Sequence, residues 1–250
     1  MPNEKIALVT GSSKGIGGKI AYHLALSGYF VYLTYFQDRE NGEKAVQKIE
    51  DSKHDAKLLQ LNVRDEQSVK QVINQIKREK KHLNVLVNNA GIDISKKIEE
   101  VTFKEWKDVT ETKINGNFLC TKYALPLMKK QDNANIIIIV SSLGDRPEPQ
   151  FPAYCVGTAG TVAFMKMMAL DLGKYNIRVN GISPGTTKTA MWDIESSADP
   201  KLWENFAKGN PLGRVPTTDD IAKVTMMIIN DETKYLNGNI IYVNGGNHLK

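Results

Sequence analysis

The chain has 250 residues, of which 41% are hydrophobic and 24% charged, a globular composition that excludes disordered and fibrous classes. Its 33 basic and 28 acidic residues leave a net charge of +5, and the lysines are spread rather than clustered, so an anionic cofactor is favoured over nucleic acid. Two cysteines cannot build a disulfide framework, and no apolar run approaches the roughly 20 residues of a membrane span. We therefore expect a cytoplasmic protein that binds neither membrane nor nucleic acid.

Short, largely β-branched apolar runs alternate along the chain with amphipathic stretches. The runs predict strands buried on both faces of a parallel sheet, over Ile6–Val9, Phe30–Leu33, Lys57–Leu61, Val85–Val87, Ile136–Val140, Ile177–Ile182 and Ile240–Val243. The amphipathic stretches predict helices over Ile16–Leu26, Glu43–Glu50, Gln67–Lys80, Phe103–Lys129, Ala153–Lys174 and Asp219–Ile229. This alternation predicts a Rossmann-type doubly wound α/β fold in three layers, with residues 1–250 in a single domain.

A glycine-rich turn, TGSSKGIG at residues 10–17, joins the first predicted strand to the first predicted helix. Glycines let the backbone approach a pyrophosphate, and a helix N-terminus offers free N–H groups to it. The turn therefore predicts a dinucleotide site, with contacts from Gly11, Ser13, Lys14, Gly15, Ile16 and Gly17.

The spacing of this turn, TGxxxGxG, resembles the short-chain dehydrogenase/reductase family. NNAG at residues 88–91, PG at 184–185 and NGG at 244–246 also fit, so the resemblance covers nearly the whole chain. It is strongest with the subgroup exemplified by 3-oxoacyl-carrier-protein reductases. The resemblance implies further cofactor contacts from Asn62 (where the family usually has Asp), Val63, Asn89, Ala90, Gly91, Pro184, Gly185, Thr187 and Thr189.

The choice of nicotinamide cofactor depends on the end of the second predicted strand. NAD-preferring members place an acid there for the ribose 2′-hydroxyl, whereas this chain has Tyr35. Lys14 in the glycine turn and Arg39 in the next loop are placed to bind a 2′-phosphate, the alternative being that both are solvated surface charges. We expect NADP(H), with NAD(H) less favoured.

The resemblance also implies an active site of Asn, Ser, Tyr and Lys. In that set the Tyr exchanges a proton with the substrate, the Ser positions the carbonyl, and the Lys binds ribose and favours the phenolate. Tyr154 matches by its motif and Ser141 by its spacing, with the adjacent Ser142 as an alternative. The Lys position holds Thr158 and the Asn position holds Lys113.

Two interpretations of this exchange compete. In one, Lys113 reaches Tyr154 from the neighbouring helix and supplies the missing ammonium, with Lys188 as a weaker substitute. In the other, the site has decayed by chance substitution. The histidines show no ligand spacing, so no metal site is expected.

The segment at about residues 188–215 carries aromatic residues between polar ones, and it is expected to form a substrate lid. The alternative is that these aromatic residues only pack a short amphipathic helix. The helix predicted over Ala153–Lys174 is apolar nearly all round and therefore needs burial on both sides. It favours a homodimer or homotetramer, or a hetero-oligomer with an active homologue.

We therefore predict an NADP(H)-dependent reductase of a small or carrier-bound ketone, with a 3-oxoacyl or polyketide-type thioester favoured. The alternatives are an accessory subunit that keeps cofactor binding, and non-redox chemistry such as dehydration or isomerisation.

Overall fold

The computed structural model describes residues 4–249, without the side chains of residues 194 and 195. Its strands form one parallel sheet in the order β3-β2-β1-β4-β5-β6-β7. The strands are β1 (Lys5–Val9), β2 (Tyr29–Tyr35), β3 (Ala56–Gln60), β4 (Val85–Asn88), β5 (Ala134–Ile139), β6 (Ile177–Pro184) and β7 (Ile240–Val243). The α-helices are α1 (Gly15–Leu26), α2 (Arg39–Asp51), α3 (Glu66–Glu79), α4 (Phe103–Thr110), α5 (Gly116–Met128), α6 (Pro152–Leu172), α7 (Asp193–Ala198), α8 (Leu202–Gly209) and α9 (Thr218–Ile229). This layered arrangement confirms the predicted Rossmann-type fold.

Residues that alternate along the strands supply two cores, one on each face of the sheet. Ile6 and Leu8 pack with apolar residues of α3, α5 and α6, whereas Ala7 and Val9 pack with those of α1, α2 and α9. Every residue of β5 is buried. The strands therefore read as continuous apolar runs in the sequence, because helices cover both faces.

The strand order reverses at β1, which has β2 on one side and β4 on the other. At such a reversal the following loops leave in opposite directions and open a crevice at the carboxyl edge of the sheet, where ligands bind. The glycine turn follows β1 and residues 89–91 follow β4, so both predicted motifs lie at this crevice.

The long helix predicted over Phe103–Lys129 is not regular. A π-helical turn over Glu111–Asn115 joins α4 to α5, and in it the Gly116 amide donates to the Glu111 carbonyl five residues back. The prediction of one unbroken helix was wrong here, since a 3.6-residue pattern does not reveal a single wide turn. Such turns are frequent at functional sites.

Helix α6 and the short turn after it, residues 152–175, are long and apolar enough by composition to cross a membrane, with a mean hydropathy of 1.3. However, 44% of its apolar 18-residue stretch is buried inside the fold. Met165 of this helix packs against β6 at Gly181. The core helix of a soluble protein meets the same length and composition test, so these properties are weak evidence for a membrane span.

Candidate active site

The glycine turn after β1 is held by its own side chains and by β2. Ser12 Oγ donates to the Val9 carbonyl and accepts from the Thr34 amide, both at 2.8 Å. The Gly11 amide donates to Thr34 Oγ1 at 3.0 Å. Helix α1 then begins with no side-chain cap and no acid in its first turn. Its first amides and its positive dipole end are therefore suited to a phosphate group.

Asn89, just after β4, bridges that strand to the glycine turn. Its Nδ2 donates to the carbonyls of Thr10 at 3.0 Å and Gly11 at 2.8 Å, while the amides of Asn89 and Ala90 donate to Thr10 Oγ1. Gly17 packs against this bridge so closely that a Cβ there would lie 2.4 Å from Asn89 Nδ2 and 2.6 Å from the Gly11 carbonyl oxygen. Glycine is thus required at position 17 by close packing.

The loop after β6 forms a third wall of the crevice. Thr187 is buried, and its Oγ1 donates to the Gly185 carbonyl at 2.7 Å. A Cβ added at Gly15 would lie 3.6 Å from Thr189 Cγ2, so the loop reaches the glycine turn. The structure therefore brings together these two predicted motifs, which are more than 160 residues apart in the sequence.

Asn62 and Val63 follow β3 at the same edge of the sheet. Asn62 Oδ1 accepts from the Arg64 amide at 3.1 Å, and Val63 is buried. Arg64, which sequence reasoning missed, forms an ion pair with Asp108 of α4. No spacing in the sequence marks that pair.

Both cations expected at a 2′-phosphate are paired with carboxylates. Lys14 Nζ lies 2.7 Å from Asp38 Oδ2, and Arg39 Nε lies 2.8 Å from Glu43 Oε1. Asp38 also caps α2 by accepting from the Asn41 amide. Lys14 foremost, together with Asn41, holds the pKa of the Asp38 carboxyl below its usual range. The fold thus brings a carboxylate to Lys14, although none stands at the end of β2.

Lys113 and Tyr154, both predicted as catalytic residues, are in direct contact. The Lys113 side chain is only 4% exposed, and its Nζ donates to Tyr154 Oη at 3.1 Å. The same ammonium lies 4.2 Å from the centroid of the Tyr154 ring. Asn115, two residues further on, is exposed. The structure therefore places a buried cation beside the tyrosine from the helix predicted to carry it.

The backbone carbonyl of Lys113 has two side-chain partners. It accepts from Asn117 Nδ2, and Thr161 Oγ1 of α6 lies 3.1 Å from the same oxygen. Thr161 Oγ1 also lies 2.8 Å from the Gly157 carbonyl, so its single proton is shared between the two helices. These bonds hold the π-helical turn against α6.

Ser141 and Thr158 lie on adjoining elements. Ser141 follows β5 and caps the turn at 142–144, its Oγ accepting from the Leu143 amide at 3.2 Å. That turn packs against α6 so tightly that a Cβ at Gly144 would lie 3.0 Å from Thr158 Cγ2. Thr158 is fully buried, and its Oγ1 has no hydrogen-bond partner among the described residues.

The segment predicted to form a lid contains a cluster of three aromatic side chains, called the lid cluster below. Trp192, Trp203 and Phe206 have ring centroids 5.4–6.4 Å apart. Lys188, weighed above as a substitute cation, is exposed and lies 5.8 Å from the Trp203 ring. It therefore belongs to the lid cluster.

Comparison with known proteins agrees with this geometry. A family model described as enoyl-(acyl carrier protein) reductase matches residues 11–248. The chain is 35% identical over 249 residues to 3-oxoacyl-[acyl-carrier-protein] reductase FabG of Staphylococcus aureus, with 100% of both chains covered. The chain belongs to the short-chain dehydrogenase/reductase family. A solved member, a putative short-chain alcohol dehydrogenase from Sinorhizobium meliloti, superposes with a TM-score of 0.91 at 28% identity, over 98% of this chain and 97% of that one.

Another solved structure and another relative are similar to nearly the whole chain. Acetoin dehydrogenase from Enterobacter cloacae superposes with a TM-score of 0.88 at 28% identity, over 100% of this chain and 97% of that chain. FabG of Haemophilus influenzae is 34% identical over 245 residues, 98% of each chain. Family membership confirms the resemblance inferred from the glycine turn, and with it the oxidoreductase class.

Substitution of Gly17 tests the bridge between the glycine turn and Asn89. Gly17→Ala places a methyl group against the rigid Gly11 carbonyl, and we expect it to destabilise the fold by about 1–3 kcal/mol and to weaken nicotinamide cofactor binding. Gly18→Ala is the control, because the nearest atom to a Cβ there is the Ser12 carbonyl oxygen, at 3.2 Å rather than 2.4 Å. Denaturant unfolding and a cofactor titration measure both effects. Equal behaviour of the two variants would contradict the requirement for close packing at Gly17.

Proposed function

We propose that the chain is an NADP(H)-dependent reductase of a carrier-bound 3-oxoacyl thioester or a related ketone, in which Lys113 replaces the family lysine. The hydrogen bond from buried Lys113 Nζ to Tyr154 Oη carries the proposal. The named relatives support the substrate class, since several are 3-oxoacyl-[acyl-carrier-protein] reductases. Two free, buried cysteines, Cys120 and Cys155, suit a cytoplasmic location.

The crevice fits a dinucleotide. The uncapped start of α1 and the close-packed glycine turn would hold the pyrophosphate, while Asn62, Gly91 and Thr189 lie at the same edge of the sheet. When bound, the reduced nicotinamide supplies the hydride that adds to the carbonyl carbon of the substrate.

Tyr154 supplies the proton that completes the reduction. Its hydroxyl donates to the carbonyl oxygen, so the ketone gains one hydride and one proton and becomes an alcohol, and the tyrosine is left as a phenolate. Lys113 already donates a hydrogen bond to that oxygen, and in a buried site such a charge-assisted bond is strong. Ser141 would orient the carbonyl. The phenolate then recovers a proton from the ammonium or from water.

A preference for NADP(H) requires Lys14 to leave Asp38 and to bind the 2′-phosphate of the cofactor. The Lys14–Asp38 pair is partly exposed, with side-chain exposures of 53% and 31%, and such surface pairs contribute about 0–1 kcal/mol. Hydrogen bonds to charged groups contribute about 1.5–3 kcal/mol, so a 2′-phosphate is expected to displace Asp38. The competing function of Asp38, accepting from a 2′-hydroxyl, would favour NAD(H).

A second candidate function is that of an accessory subunit that binds cofactor without turning over alone. Thr158 favours it, because a neutral and unpartnered hydroxyl stands where the family has its lysine. An oligomer suits both candidates, since Phe118, Met167 and Leu170 expose apolar surface on α5 and α6. The contact between Lys113 and Tyr154 favours the active enzyme.

Removal of the Lys113 ammonium tests the proposed catalytic group. Lys113→Met keeps the apolar stem and removes the charge, so kcat for ketone reduction at saturating NADPH is expected to fall about 10²-fold or more. The pH optimum for oxidation of the alcohol is expected to move to higher pH. Lys107→Met, an exposed lysine one and a half turns earlier, is the matched control and should keep full activity.

Restoring the family arrangement sharpens this test. Lys113→Asn and Thr158→Lys are each expected to impair reduction, the first by removing the cation and the second by adding a like charge near it. The double variant should recover activity lost in Lys113→Asn. A Lys113→Met enzyme with unchanged kcat and pH profile would show that the lysine has no catalytic role.

The cofactor prediction is tested by binding titrations with NADPH and NADH. Lys14→Ala is expected to weaken NADPH binding about 10- to 100-fold and to leave NADH binding within about twofold. Asp38→Asn should tighten NADPH binding, because it frees Lys14 from its partner. Arg39→Ala is expected to have a smaller effect than Lys14→Ala, since the Arg39 side chain is more exposed, at 69% against 53%. Equal loss of both cofactors in Lys14→Ala would contradict a 2′-phosphate contact.

A further inference from the structure

Gly157 lies directly against the stem of Lys113. It is buried in the interior of α6, where a Cβ would stand 3.1 Å from Lys113 Cβ and 3.3 Å from Lys113 Cγ. These distances are tighter than ordinary van der Waals contact. Glycine is unfavourable inside a helix because it lacks packing and gains disorder on unfolding. A close approach of another chain is a specific reason for one at this position.

We propose that Gly157 is a positioning residue, which lets the Lys113 side chain cross α6 and reach Tyr154. The inference rests on the proposed function, because it assigns a role to the contact between those two side chains. Any larger residue at position 157 occupies the space through which the Lys113 stem passes. The ammonium is then expected to leave Tyr154 Oη.

Hydrogen bonds oppose a movement of the two helices away from each other at this point. Thr161 shares its hydroxyl proton between the carbonyls of Lys113 and Gly157, and so holds the two helices at a fixed separation. Asn117 Nδ2 holds the Lys113 carbonyl from the other side. The adjustment therefore falls on the torsion angles of the Lys113 side chain.

The far end of the lysine is confined as well. A Cβ added at Gly91 would lie 3.4 Å from Lys113 Cε and 3.6 Å from Lys113 Nζ. Lys113 thus runs between Gly157 at its base and Gly91 at its tip. A stem displaced at its base has little room to recover the same position for the ammonium.

The chain offers a matched control for the test. A Cβ at Gly160, on the same helix, would meet Ile114 Cδ1 at 3.1 Å and Cγ1 at 3.3 Å. Gly157→Ala and Gly160→Ala therefore add the same group at the same distances against neighbouring residues of the π-helical turn. Only Gly157→Ala crowds the lysine.

We expect Gly157→Ala to lower kcat about 10- to 100-fold, the range for a misplaced catalytic group, and to move the pH profile to higher pH. NADPH affinity should stay within about twofold of wild type, and Gly160→Ala should keep the wild-type kcat and profile. In the Lys113→Met background, Gly157→Ala should cause no further loss. Equal effects of the two alanines, or a full additional loss in Lys113→Met, would overturn the proposal.

A measurement without cofactor or substrate separates this proposal from the proposed function. Carbon-13 NMR of labelled tyrosine at one fixed pH, with Tyr154→Phe identifying the signal, reports the environment of the Tyr154 hydroxyl in the free protein. Gly157→Ala should shift that resonance, as Lys113→Met does, because both variants remove the ammonium from the hydroxyl, whereas Gly160→Ala should not. A shift in Lys113→Met without one in Gly157→Ala overturns the role of Gly157 alone. No shift in Lys113→Met overturns the interaction on which both proposals rest.

Circular dichroism establishes that each variant is folded before it is assayed. If Gly157→Ala is unfolded at the assay temperature, Thr161→Val provides the second test, because it removes the shared proton and adds no bulk. Thr161→Val should lower kcat with the same alkaline shift. An unchanged pH profile in folded Thr161→Val would overturn the proposed positioning.

Discussion

The constraint at the centre of this molecule is a lysine ammonium that is withdrawn from water. Burial of an unpaired charge costs several kcal/mol, so a buried lysine persists only where its surroundings repay that cost. At Lys113, contacts with the hydroxyl and the ring face of Tyr154 offset part of that cost. The same energetics favour negative charge on the tyrosine oxygen, because a phenolate there would neutralise the buried ammonium. The contact with Tyr154 that offsets the cost of burying the ammonium is therefore the same contact that we propose acts in catalysis.

Several local departures from a regular fold act together around that cation. The π-helical turn sets the backbone of Lys113, Gly157 leaves space for its stem, and Thr158 replaces a long side chain by a short one. Chance loss of the family lysine would not by itself place another lysine 3.1 Å from Tyr154 Oη in a buried position. Relocation of the lysine from position 158 to position 113 would explain all of these features together, because each then serves to keep a positive charge beside the tyrosine.

The sequence was sufficient for the fold, because buried parallel strands and amphipathic helices have distinct periods. It also predicted, from motif spacing, that Lys113 reaches Tyr154, and the two side chains are in contact. It did not reveal the π-helical turn, since one wide turn leaves the apolar pattern nearly intact. Nor did it reveal the pairing of Lys14 with Asp38, because a surface ion pair depends on how two loops meet. The role of Gly157 was hidden for a similar reason: its neighbour lies 44 positions away in the chain.

By the proposed mechanism, this chain catalyses reduction by itself, with Lys113 in place of the family lysine. The most direct measurement is the oxidation of NADPH by the purified chain with a β-keto thioester, alone and then with an active homologue added. Turnover by the chain alone, unchanged when the homologue is present, is the predicted result. Binding of NADPH without turnover, with activity appearing only when the homologue is added, would contradict the claim and identify an accessory subunit.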